Sequence, residues 1–162
     1  MVNTRRLVLG LGNPIMADDG IGIHVTRMIQ AKLPQRPDIV FKELGVSGIR
    51  LVEEMLGFDQ AILIDSHTGK EPEIGRIRKL TPADFVDTIH PGAPHGTNFA
   101  SAIELYKTLN PEKIPTSIEI YTIDIASEIS FGEELSPAVE KAGEQLANLL
   151  VRELALTEAK AS

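Results

Sequence analysis

The chain has 162 residues, of which 43% are hydrophobic, and its 23 acids against 16 lysines and arginines give a formal charge of −7. That length suits one compact domain over residues 1–162, and the acidic balance excludes non-specific binding to nucleic acid or to an anionic membrane surface. There is no cysteine, which removes disulfides, thiolate zinc sites and cysteine nucleophiles from consideration.

The N-terminal "MVNTRRLVLGLGNP" reaches glycine and proline before an apolar segment of signal-peptide length builds up. No run approaches the roughly 18 apolar residues of a membrane span, so the composition predicts a cytoplasmic protein without membrane insertion. Leu7–Leu11 is a short apolar run ended by glycine, the pattern of a buried strand. From Asp19 to about Leu33, Ile21, Val25, Met28, Ile29 and Leu33 recur at helical spacing, and "LPQRP" stops the helix. "DIVFKEL" (Asp38–Leu44) predicts a second strand. "VSGIRLVEEML" predicts a second helix with Ser47 as N-cap and Ile49, Leu51, Val52, Met55 and Leu56 facing inward. Gln60–Asp65 is a third buried strand, and Ile74–Leu80 alternates apolar and basic residues as a strand with one wet face.

Residues 81–96 hold three prolines and two histidines and predict a long ordered loop. From Thr97 a third helix places Phe99, Ala102, Ile103, Tyr106 and Leu109 on one face. Ser117–Ile125 alternates as a strand and "ASEISFGEEL" is a loop. Ser136-Pro137 opens the last helix with an N-cap followed by proline at the first position. Its inward stripe is Val139, Ala142, Leu146, Leu149, Leu150 and Leu154, with residues from about 155 to 162 as a frayed tail. Strands alternating with helices predict an α/β three-layer sandwich, a mostly parallel twisted sheet of about five strands with helices on both faces.

In such folds ligands bind beyond the C-terminal ends of the strands. Three segments follow strand ends: Gly10–Asp19, Asp65-Ser66-His67, and the loop after Leu80 with His90 and His95. "GLGNPIMADDG" looks at first like a dinucleotide turn, but Ile15 stands where the third glycine belongs. Pro14 removes an N–H donor, and Asp18 and Asp19 would repel a pyrophosphate. One of the two acids is explained as a helix cap; the second is not. Asp65 closes "AILID", where a carboxylate enters burial and needs hydrogen bonds or a cation. With His95 these acids form an oxygen, oxygen, nitrogen set suited to a divalent nickel, zinc or iron rather than calcium or magnesium.

His24 reads as a flank residue of the first helix, and His67 and His90 as neighbours that support ligands. Ser47, Ser66 and Ser101 lack an evident paired base, which leaves a covalent hydrolase mechanism without support.

"LVLGLGNPIMADDGIGIHV", "ELGVSGIRLVEEM", "AILIDS", "APHGTNFASAIEL" and "GEELSPAVEKA" together resemble the hydrogenase maturation endopeptidases, in order and spacing, from Leu7 to Leu150. The resemblance implies a twisted sheet between helices and a protease that removes a C-terminal peptide from the precursor of a [NiFe]-hydrogenase large subunit after nickel insertion. Carried over by motif, the metal-contacting positions are Asp19, Asp65 and His95. It further implies that the nickel belongs to the precursor and is not a resident cofactor. "DSHTG" departs from the family, which commonly continues with a small apolar residue after the Asp. Two rivals remain in view. Peptidyl-tRNA hydrolase shares the G-x-x-N-P turn but lacks the D-D-G, and the chain's acidic charge disfavours tRNA. A non-catalytic nickel-checking chaperone would use the same three residues for binding alone.

Overall fold

The computed structural model describes residues 4–33, 35–45, 48–87, 99–128 and 130–159. Strands β1 (Arg6–Leu11), β2 (Ile39–Leu44), β3 (Gln60–His67), β4 (Ile77–Leu80) and β5 (Ser117–Asp124) form one sheet in the order β2-β1-β3-β5-β4. The β1–β2, β1–β3 and β3–β5 pairs are parallel, whereas β4 runs antiparallel to β5 at the edge.

Helices α1 (Ile21–Lys32) and α4 (Pro137–Ala159) cover one face, and α2 (Ile49–Met55) and α3 (Phe99–Leu109) the other. Strand alternation divides the core accordingly. Val8, Ile62, Ile64, Tyr121 and Ile123 pack with Ile21, Val25, Leu146 and Leu150, while Leu7, Leu9, Leu63 and Ile120 pack with Leu51, Met55, Ala102 and Ile103. Because both faces are covered, β1 and the middle of β3 read as unbroken apolar runs. At the N-terminal ends of the strands Arg6 and Arg36 grip Asp38 at 2.8 Å each. The Arg36 hydrogen bond in particular holds the Asp38 carboxyl below its ordinary range.

The five-stranded α/β sandwich agrees with the sequence pattern, with specific differences. β3 runs two residues beyond Asp65, because Ser66 and His67 find partners in Ile123 and Asp124 of β5. β4 begins at Ile77 and is antiparallel, so Leu80 lies beside Ile120 in the middle of β5. The loop after β4 therefore does not start at the C-terminal ends of the parallel strands, which corrects the expectation for that segment: an antiparallel strand exits toward the opposite end. Gly48, with φ of 73°, occupies the N-cap of α2; Ser47 lies outside the described residues.

Ile49, Leu109 and Leu149 are exposed rather than inward. The first two sit at helix ends, and buried Ala147 takes an inward place on α4 that Leu149 does not. α4 continues through Ala159, past the point where fraying was expected. Among the described residues no helix is long and apolar enough to cross a membrane.

Candidate active site at the strand ends

The chain winds from β1 to β2 on one side and then places β3 on the other side of β1. That reversal makes the C-terminal ends of β1 and β3 the topological switch point, the place where ligands bind in open α/β sheets. Glycine lets the backbone pack closely at this point. A Cβ at Gly22 would run into the carbonyl oxygens of Ile64 and Leu11, so only glycine lets α1 start directly over both strands. Gly12, at φ 127°, bends the exit from β1 so sharply that a Cβ there would meet the Asp19 carbonyl oxygen.

The turn between Gly12 and Asp19 spends its donors on itself and its neighbours. Gly12 N–H donates to Leu44, Asn13 N–H to the Asp19 carboxylate at 3.1 Å, and Ile15 N–H to the Asn13 side chain at 3.2 Å. Met16 N–H donates to the Asn13 carbonyl, Asp19 N–H to the Met16 carbonyl, and Ala17 N–H to the Gly132 carbonyl. This leaves the turn without the converging N–H groups that a phosphate requires. Residues Ala17–Gly20 then form one 3₁₀ turn that leads into α1.

The two acids of the turn part company. Asp18 reaches across to the start of α4, where its carboxylate accepts from the Ser136 backbone N–H and from the Ser136 hydroxyl, both at 2.7 Å. Ser136 is itself the N-cap, because its carbonyl accepts from Glu140 N–H. Asp18 thus caps a helix, though α4 and not its own. Asp19 instead turns toward β3 and accepts from the Ser66 hydroxyl at 3.2 Å.

Asp65 and Ser66, each 1% exposed, complete the centre. Strand alternation sends Ser66 to the α1/α4 face, in line with Ile62 and Ile64, and Asp65 to the other. Ser66 joins the carboxylates through two different groups: its hydroxyl holds Asp19, and its N–H donates to Asp65 Oδ1 at 2.8 Å. Two oxygen-donor side chains are therefore tethered by one residue at the switch point. His95 and His90 lie outside the described residues, and among the described residues no three His, Asp or Glu side chains gather to hold a metal.

His67 is bound by its own partner. Its Nδ1 lies 3.0 Å from the carboxylate of fully buried Asp124, which Arg78 grips with two bonds of 2.8 Å. Burial pushes the Asp124 carboxyl up, but the Arg78 guanidinium and His67 pull it further down, leaving it below the ordinary carboxylate range. Thr122, on the same face between Asp65 of β3 and Arg78 of β4, keeps a buried hydroxyl with no partner among the described residues. Asp124 and Arg78 escaped the sequence reading, yet a signal was present: "IYTID" closes with an acid just as "AILID" does. His24 is half-buried, and its Nε2 is enclosed without a partner among the described residues. Burial, then the charge of Arg27, lower its pKa.

Two carboxylates joined through Ser66 at the switch point of a mostly parallel α/β sheet stand where such sheets bind ligands. The family model for hydrogenase maturation protease matches residues 6–153, and the chain belongs to that family, a class of hydrolase. It is 25% identical over 150 residues to the hydrogenase 2 maturation protease of Escherichia coli strain K12, covering 88% of each chain. The fold superposes on the hydrogenase maturating endopeptidase HybD from E. coli with a TM-score of 0.73 at 21% identity, over 95% of this chain and 94% of that one. The [NiFe] hydrogenase maturation protease HybD from Thermococcus kodakarensis is 27% identical with a TM-score of 0.60, over 94% of this chain and 99% of that one.

Proposed function

We propose that this chain removes the C-terminal extension from the precursor of a [NiFe]-hydrogenase large subunit once nickel has been inserted, and that it acts in the cytoplasm. The observation that carries the proposal is the tethering of Asp19 and Asp65 by Ser66 at the switch point of a chain in the hydrogenase maturation protease family. Carboxylates with imidazole suit nickel, and in this reading the nickel arrives with the substrate. Asp19, Asp65 and His95 contact the metal seated in the precursor, and that contact brings the scissile peptide beside it. Nickel then polarises the scissile carbonyl or a water.

Ser66 acts as the tether and not as a nucleophile. Its hydroxyl is directed at a carboxylate, and the adjacent His67 belongs to the opposite face, where Asp124 holds it. The test is to incubate the protein with nickel-loaded and nickel-free precursor and to follow the intact mass. Shortening of the loaded form alone supports the proposal. Shortening of both forms contradicts the nickel requirement, and binding without shortening replaces the protease by a nickel-checking chaperone.

A further inference from the structure

The loops beyond the C-terminal ends of the strands expose several large apolar side chains, and two of them are tied together. Phe131 is 86% exposed and Ile15 is 52% exposed. Their segments meet in a parallel bridge between Met16 and Gly132, with Ala17 N–H bonded to the Gly132 carbonyl at 2.7 Å and Gly132 N–H to the Ile15 carbonyl at 2.9 Å. Four residues further on, Asp18 clamps Ser136. An exposed phenylalanine on a free terminus needs no explanation. One held out on a doubly bonded lip, at an aggregation risk, reads as a contact surface.

The two segments that form the lip carry acids and neither lysine nor arginine, although the charge of Arg27 reaches Glu133. Residues 125–140 contain Glu128, Glu133, Glu134 and Glu140 without a lysine or arginine, and residues 7–26 contain Asp18 and Asp19, again without one. The nearby Arg27 is engaged by Glu43 through two bonds, of 2.7 and 2.9 Å. Two copies of so acidic a lip would repel each other, which argues against self-association. The fitting occupant is a polypeptide segment that sets an apolar side chain beside lysine or arginine. The lip is also continuous with the candidate site, since Met16 and Ala17 belong to the turn that presents Asp19.

We propose that Ile15 and Phe131 form the docking lip for the precursor polypeptide. An apolar side chain of the precursor packs on Phe131 and Ile15, and its basic neighbours face Glu133 and Glu134. This inference rests on the processing reading above. The lip contributes to binding and leaves the chemistry to the strand-end acids, so its variants change KM and not kcat.

The test compares wild type with Phe131→Ser, Ile15→Ser and the double variant Glu133→Gln/Glu134→Gln. Processing is followed with the nickel-loaded precursor, and binding by calorimetry with the nickel-free precursor. Phe131→Ser is expected to raise KM and Kd about 10-fold with kcat within twofold of wild type. The Glu variant is expected to flatten the salt dependence of Kd, and thermal midpoints should stay at the wild-type value. Unchanged KM and Kd in Phe131→Ser, with wild type still processing, overturn the lip alone. A wild-type dimer that Phe131→Ser dissolves assigns the lip to a second copy and likewise overturns it. Binding that is lost in Phe131→Ser without any processing by wild type retains the lip and removes the protease reading. Neither binding nor processing by wild type removes both.

Discussion

Replacing Asp18 by alanine separates the two acids of the turn. The Asp18 carboxylate holds both the N–H and the hydroxyl of the α4 N-cap at 2.7 Å, across 118 residues of sequence. A hydrogen bond to a charged group contributes about 1.5–3 kcal/mol, and loss of an N-cap interaction costs about 1 kcal/mol. The two bonds share one half-buried carboxylate and do not add fully, so Asp18→Ala should cost about 2–3 kcal/mol. For a chain of this size that lowers the thermal midpoint by roughly 5–10 °C. Ser136→Ala keeps the N–H bond and should lose about half as much, and the Asp18→Ala/Ser136→Ala pair should be less than additive. Calorimetry of the single and double variants measures this, with processing assayed well below the transition. A midpoint within about 2 °C of wild type, or a folded Asp18→Ala protein that has lost processing, would refute the separation of a capping acid from the acid proposed to face the metal.

Three further outcomes follow from buried polar groups. Asp124→Asn should cost about 3 kcal/mol in urea unfolding, near the low end for breaking a buried pair because the Arg78 side chain is 32% exposed; a cost under about 1 kcal/mol would mean that Arg78 finds another partner. Thr122→Val removes a buried hydroxyl without a partner among the described residues and keeps its shape, so stability should rise by about 1 kcal/mol; a loss would reveal a partner for that hydroxyl. His24 is held below its ordinary pKa, so the unfolded chain takes up the proton first as the pH falls. The stability it contributes is therefore present above pH about 6.5 and lost below it. Wild type should weaken relative to His24→Gln between pH 7 and pH 5, and parallel curves would contradict this.

The layers and most element boundaries were legible because helical and alternating apolar spacing report burial directly. What those patterns do not carry is direction. The alternation in 74–80 announces a strand with one wet face but is the same for parallel and antiparallel pairing, so the exit of β4 was placed at the wrong end of the sheet. Spacing also overstates burial at helix ends, as Ile49 and Leu109 illustrate. At the candidate site, charge and the missing N–H of Pro14 sufficed to set the phosphate reading aside. The division of labour between Asp18 and Asp19 was partly visible: one acid had to cap a helix, but only the fold brings Ser136 to Asp18. Ser66 stands in the sequence only as part of a departure from the family, a subgroup feature touching substrate choice, since sequence does not disclose which neighbour a strand-end hydroxyl will meet. Asp124 closes β5 as Asp65 and its neighbours close β3, so the strand-end pattern of "IYTID" carries the same signal as "AILID".

The most direct measurement of the central claim is the intact mass of nickel-loaded precursor after single-turnover incubation with wild type, Asp19→Asn, Asp65→Asn and His95→Ala. Each variant is first matched to wild type in circular dichroism. The asparagines keep the size and an acceptor oxygen for Ser66 but remove the charge offered to the metal. The account predicts a shortened precursor with wild type, and full-length precursor with each folded variant on the time scale of wild-type turnover. Shortening at the wild-type rate by Asp19→Asn and Asp65→Asn would contradict it.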